Sequence, residues 1–276
     1  MSAAGLADLF SLYSAFPLLA SASFSADSPA SSGSSTSLSL TTDSLSTEPA
    51  LLLKAFSSIF SDNESSWEAA QTISRNAREE IGLPNTASLG YGEILPESVF
   101  TIMCEIKDVH GLERGGVVYD LGSGSGRVLF AACLAHDFRL SKGIEFIESL
   151  HNAALRNKNR WEEHDVVTPE EGGPVDRVEF DFLKGDITKI TSRALSPAPT
   201  VLFCHATLFD DDLFDCVQVI SENCNPGTFF VMITKPLRTV NSTGMVTGIE
   251  TLSYKQYRMS WGHTTVYLQR RMKTNE

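Results

Sequence analysis

The chain has 276 residues, 42% of them hydrophobic and 20% charged, and a net charge of −12 at neutral pH, which suits one large folded domain with something smaller beside it. The acidic balance argues against a nucleic-acid-binding surface spread over the whole chain, and no apolar run is long enough to cross a bilayer as a helix. Five scattered cysteines (Cys104, Cys133, Cys204, Cys216 and Cys224) suggest neither a disulfide framework nor a C-x-x-C metal site, and fit a reduced intracellular protein that is not secreted.

Residues 1–50 hold four acids, no Lys or Arg, and fifteen serines. The stretch AFPLLASASFSA at 15–26 ends in small residues but lacks the positive leader of a secretion signal and the arginines of a mitochondrial one. Residues 1–48 therefore read as a disordered Ser-rich tail, with too few large apolar groups to offset the entropy of ordering. From Pro49 onward, ALLLKAFSSIF and NESSWEAAQTISRNAREEIG space their apolar residues by three and four, predicting two helices, the second stopping at Gly82. The loop LGYGEILPESV then leads into a helix whose apolar face is Val99, Ile102, Met103 and Ile106, expected to pack on a sheet edge. Residues 49–110 thus form N-terminal helices and a loop, ahead of an α/β domain over 111–276.

That domain opens with VVYDLGSGSGRVLF, an apolar strand, a glycine turn and a helix. Further strands are predicted near 141–146, 177–183, 199–204 and 227–234, with helical patterns near 147–163, 187–195 and 210–224 between them. EEGGPVDR at 170–177 reads as a connecting loop. This alternation predicts a doubly wound, mostly parallel sheet with helices on both faces. The last two candidates, 248–258 and 264–271, follow one another without a helix and make an antiparallel pair at one edge, seven strands in all.

Glycines in the turn let the backbone take positive φ and let a ligand lie against the main chain, while the helix N-terminus offers free N–H groups; a tight ligand-free connection is the plainer alternative. The spacing is G-x-G-x-G behind an aspartate, not the G-x-G-x-x-G of dinucleotide sites. D-L-G-S-G-S-G resembles motif I of the class I S-adenosylmethionine-dependent methyltransferases. In an open α/β sheet the ligand lies outside the carboxyl ends of the strands, so strand-end residues should converge on it. These are Asp120, then Glu145, 19 residues after Gly126, placed for the ribose hydroxyls, and Asp186, placed beside an adenine. Each acid is also a plausible helix cap.

YGEILPESV, YDLGSGSGRVLFAACLAH, GIEFIESLH, VLFCHATLFDDDLF, TKPL and YRMSWGHTTVYL occur in the order and approximate spacing of the non-SET histone lysine methyltransferases, the disruptor-of-telomeric-silencing family, which the chain resembles over roughly residues 55–272. The resemblance implies methyl transfer from S-adenosylmethionine to a lysine of histone H3 in nucleosomes; in-line displacement at a sulfonium methyl relies on positioning and needs no metal, and a monomer in the nucleus or cytoplasm is expected. It further implies that Tyr91, Gly92 and Glu93 close over the methionine moiety, that Asp120, Gly122, Ser123, Gly124 and Gly126 form motif I, that Glu145 binds the ribose, and that Asp186 with Ile187 binds the adenine. Phe209 and Trp261 fall in segments that line the family's lysine channel.

The chain departs from the family where two adjacent asparagines become His205-Ala206 and where Val266 leaves Tyr267 as the only member of a tyrosine pair. His205, at a strand end near the methyl, either holds or deprotonates the acceptor amine, or bonds within its own turn. The family's basic nucleosome-gripping segment is absent, leaving chiefly Lys255, Arg258, Arg270, Arg271 and Lys273, so direct nucleic-acid contact is expected to be weak. Two other readings stay open, a methyltransferase for a non-histone protein or small molecule, and a non-catalytic cofactor-binding interaction protein.

Overall fold

The apolar, β-rich runs become strands β1 (Gly116–Leu121), β2 (Phe138–Glu145), β3 (Glu179–Lys184), β4 (Val201–His205), β5 (Phe229–Ile233), β6 (Ile249–Met259) and β7 (Gly262–Arg271). They belong to a computed structural model that describes residues 47–82, 90–164, 178–190, 195–241 and 244–272. The strands form one sheet in the order β3-β2-β1-β4-β5-β7-β6. The first five are parallel, and β7 runs antiparallel to both β5 and β6. Strand order reverses between β1 and β4, which opens a crevice at their carboxyl ends.

Six α-helices are described: α1 (Thr47–Ile59), α2 (Trp67–Glu80), α3 (Pro96–His110), α4 (Arg127–Ala135), α5 (Glu148–Glu163) and α6 (Asp211–Glu222). Their ends follow local chemistry. Ser66 caps α2 by accepting from the Ala69 N–H, Asp210 caps α6 by accepting from the Leu213 N–H, and α3 starts on Pro96 and stops at Gly111 with φ 70°. One face of the sheet is covered by α1, α3, α4 and α5, joined through Phe56, Phe100, Phe130 and Trp161; α6 covers the other through Phe214, Val217 and Ile220.

Three expectations need correction. The helix expected over 187–195 starts as a single 3-10 turn, Ile187–Lys189, capped at its N-terminus by the Asp186 carboxylate, which accepts from the Thr188 N–H and hydroxyl, and it stops where Ile190 returns to extended backbone (ψ 117°); residues 191–194 lie outside the described residues. β2 begins at Phe138 rather than 141, since Phe138 and Leu140 are already buried. The α3 helix lies within the apolar layer on the sheet's face and meets the edge strand β6 through polar contacts, Ser98 donating to the Arg258 carbonyl and Glu105 accepting from Ser253 and Lys255. Residues 1–46 of the expected tail, and all of EEGGPVDR, lie outside the described residues. No described helix is long and apolar enough to cross a membrane.

Candidate functional site

Strand alternation decides what reaches the crevice. In β1, Val117, Tyr119 and Leu121 enter the layer under α6, so Val118 and Asp120 face α4. In β4, Leu202 and Cys204 enter the α6 layer, so His205 ends the strand on the same side as Asp120. After β1 the chain turns through Gly122 (φ 84°) and Gly124 (φ 53°), conformations an L side chain rarely adopts. The Gly122 and Ser123 N–H groups donate to the Ile144 carbonyl at 2.9 and 3.0 Å, fastening the turn to β2. Glu145 completes the fastening, since Oε2 accepts from the Gly124 N–H at 2.8 Å and Oε1 from the Ile147 N–H at 2.7 Å.

The result is a cleft of about 390 Å³, lined by Tyr91, Gly92, Glu93, Asp120, Gly122, Ser123, Gly124, Glu145, Asp186, Ile187, His205 and Phe209. Its carboxylates differ electrostatically. Burial, then the neighbouring Glu145 and Glu93, push the Asp120 carboxyl up to about 8. Burial also raises Glu145, opposed by its backbone N–H donors. Asp186, nearer solvent, is held below the usual carboxylate range, chiefly by the Thr188 hydroxyl. Gly126, also at positive φ (80°), is not among the residues that line the cleft, and a Cβ there would come 2.7 Å from the Phe182 ring at the start of α4.

The 91–93 loop rests on the glycine turn. A Cβ at Gly124 would meet the Tyr91 ring at 2.6 Å, and the Tyr91 hydroxyl donates to Glu93 Oε1 and lies 3.1 Å from Ser125 Oγ. Burial and the Glu93 charge raise the Tyr91 pKa well above its ordinary value, so it acts as a neutral donor. Glu93 Oε2 accepts from Arg127 Nε at 2.9 Å. The same loop is stitched to the β6–β7 turn, the Ser260 N–H donating to the Glu93 carbonyl at 2.8 Å and the Glu93 N–H to Ser260 Oγ at 3.1 Å.

At the other end, burial depresses the His205 imidazole to about 4. Its Nε2 lies 3.2 Å from Thr207 Oγ1, in a hydroxyl chain that continues to Thr234 at 2.7 Å and Thr264 at 3.1 Å. Its ring centroid is 4.9 Å from that of Trp261. Trp261 is not itself a lining residue; it flanks the cleft, half-exposed, against His205 and Gly92. Tyr267 stands apart. The register pairs Val266 with Ile233 and Tyr267 with Met232, so Tyr267 enters the α6 layer, opposite His205, and packs with Tyr254 at 6.0 Å. Sequence reasoning missed Arg127, Ser125 and the three threonines; the one local hint was a cation directly after the third glycine, and its partners lie 34 and 62 positions upstream.

The family model described as Histone methylation protein DOT1 matches residues 82–268. The histone-lysine N-methyltransferase, H3 lysine-79 specific, of Eremothecium gossypii is 29% identical over 139 residues, which are 50% of this chain and 23% of that protein, so the shared stretch is under a quarter of the relative's length. Among solved structures, magnesium protoporphyrin IX methyltransferase from Synechocystis PCC 6803 with bound SAM aligns at TM-score 0.46 and 12% identity, over 73% of this chain and 97% of that one. An RNA methyltransferase from Salinibacter ruber in complex with S-adenosyl-L-homocysteine aligns at TM-score 0.40 and 24% identity, over 66% and 95%.

Proposed function

The chain belongs to the DOT1 family of histone methylation proteins, and from that premise we propose that it is an S-adenosylmethionine-dependent protein methyltransferase acting on a lysine side chain, with histone H3 as the first substrate to test. The observation that carries the reading is the convergence of Asp120, Glu145 and Asp186, from the ends of three adjacent strands, on one cleft beside a turn built of positive-φ glycines. The residues fit the donor's parts. Each Glu145 oxygen has one backbone donor and keeps a lone pair for a ribose hydroxyl. Asp186 suits an exocyclic amine, and the buried Asp120 suits the cationic end. Bound there, S-adenosylmethionine would supply an electrophilic methyl on a sulfonium.

The chain's own contribution is positioning and control of the acceptor's proton. With a pKa of about 4, His205 falls about 6 units below an ordinary lysine ammonium, so taking its proton would cost about 9 kcal/mol. His205 is therefore a neutral hydrogen-bond acceptor that aims the amine. The apolar faces of Phe209 and Trp261 favour the uncharged amine by removing water from it. We further infer that the chain works beside chromatin in the nucleus with little grip on DNA. Lys255 is paired with Glu105 at 2.7 Å, Arg270 with Glu250 at 2.7 Å, and Arg271 donates to the Thr247 and Gly248 carbonyls. Arg258 is exposed, and Lys273 lies outside the described residues.

Incubation with methyl-labelled donor and, separately, nucleosomes, free histones and whole-cell lysate tests the reading. Label on a histone H3 lysine, abolished by Glu145→Ala, supports it. Label only on lysate proteins moves the substrate away from histones. Donor binding without transfer to any of the three overturns the enzymatic reading.

A further inference from the structure

Arg127 opens α4 directly after the glycine turn, yet its side chain reaches away from its own helix. Nε donates to Glu93 Oε2 at 2.9 Å, Nη1 donates to the Ser65 carbonyl at 2.5 Å, and the guanidinium lies 4.9 Å from the Phe56 ring centroid and 5.7 Å from that of Phe60. Glu93 in turn carries the Tyr91 hydroxyl, whose ring covers Gly124. Three segments far apart in sequence, 56–65, 91–93 and the glycine turn, therefore meet through one cation.

The pair is enclosed, with Arg127 11% and Glu93 8% exposed. Removing one partner would strand a buried charge rather than release a solvated one. A guanidinium is suited to the task in a way an ammonium is not, because one planar group presents Nε to the carboxylate, Nη1 to the carbonyl and its face to the two rings. Phe56, Phe60 and Ser65 all precede residue 82, where the family match begins. The bracing surface thus lies ahead of the stretch that the family model matches.

We propose that Arg127 is a positioning residue that braces the 91–93 loop over the methyl-donor cleft by anchoring it to the α1–α2 segment, so that the N-terminal helices set donor affinity. This rests on the donor-binding reading above. Loop, turn and Arg127 all border the cleft, so a loop detached from Arg127 leaves one wall of the donor site unplaced, while His205 and Phe209 keep hydrogen bonds that involve neither Arg127 nor the loop.

The test uses the full chain with Arg127→Gln, Arg127→Lys and Phe56→Leu. It combines calorimetry with S-adenosylhomocysteine, steady-state kinetics, and hydrogen exchange of the free protein. Arg127→Gln should weaken S-adenosylhomocysteine and raise the donor KM in parallel by about tenfold or more, with kcat at saturating donor changed by less than about threefold. Arg127→Lys should recover little of this, and Phe56→Leu should shift affinity the same way by a smaller factor. Exchange should accelerate at 90–95 while β4 and β5 stay protected. Unchanged affinity and exchange in Arg127→Gln, full function in Arg127→Lys, or a loss of protection spread evenly over the sheet would each overturn the brace. Failure of the donor reading has a separate signature, a wild-type chain that does not bind S-adenosylhomocysteine. The affinity claim then falls with it, and exchange at 90–95 alone decides whether Arg127 holds the loop.

Discussion

Asp120 is 4% exposed, and its carboxyl is pushed up to about 8 by burial first and by Glu145 and Glu93 next. The nearby cation, Arg127, is already committed to Glu93. At pH 7 the free protein therefore keeps about nine in ten Asp120 carboxyls protonated. A ligand that brings an ammonium and a sulfonium into the cleft favours the carboxylate, so binding expels that proton. Linkage then makes donor affinity rise by about tenfold per pH unit well below about 8, about fiftyfold between pH 6 and 8, and level off until the ligand's own amino group deprotonates. Asp120→Asn removes the titrating group and should flatten the profile. Calorimetry in buffers of different ionisation enthalpy counts the proton directly, with about 0.9 released at pH 7 by the wild type and about none by the variant. Stability moves the opposite way. A carboxyl raised above its ordinary value contributes stability that is complete below about 4 and is lost as pH climbs to about 8, so Asp120→Asn should gain on the wild type across that window. The full shift would be worth about 6 kcal/mol, of which about 1–3 should survive water entering the open cleft. Pairing of wild-type affinity that is flat from pH 6 to 8 with no proton release would refute the reasoning.

His205 carries the opposite sign, because an imidazole held at about 4 contributes stability that is present above about 6.5 and lost as pH falls towards 4. Denaturant midpoints should show His205→Gln gaining up to about 3 kcal/mol on the wild type between pH 7 and 4. Gly92→Ala places a Cβ 2.3 Å from the Trp261 ring; the ring must move, and thermal melts should register about 1–3 kcal/mol of destabilisation with a shift in tryptophan emission. With Lys255, Arg270 and Arg271 engaged within the protein, salt titration of DNA binding should give log K falling by about 1–2 per decade of salt, one or two phosphate contacts at about 0.9 each. A slope of about −5 or steeper would show that a cationic surface had been overlooked.

What could be read from sequence was whatever a local constraint encodes. The DLGSGSG turn is legible because its glycines sit where positive φ is required, and the strand-end acids are legible because a parallel sheet sends successive strand ends to one crevice. The helix expected over 187–195 failed for a local reason as well. Ile187 and Ile190 mimic helical spacing and Asp186 caps a first turn, but Ile190 is already extended, so that turn does not continue through it. Tyr267 and Arg127 are different in kind. The motif around Tyr267 gives its position in the chain, but its face follows from the pairing of Val266 with Ile233, fixed by a partner strand that no pattern within β7 names. Arg127 sits inside the most legible motif of the chain, yet its function follows from Ser65 and Glu93, 62 and 34 residues upstream. The motif therefore reports the ligand common to a superfamily, because that ligand meets backbone. Donor affinity and acceptor choice depend on side chains that only the fold brings together, so they are where two chains sharing the same motif are free to differ.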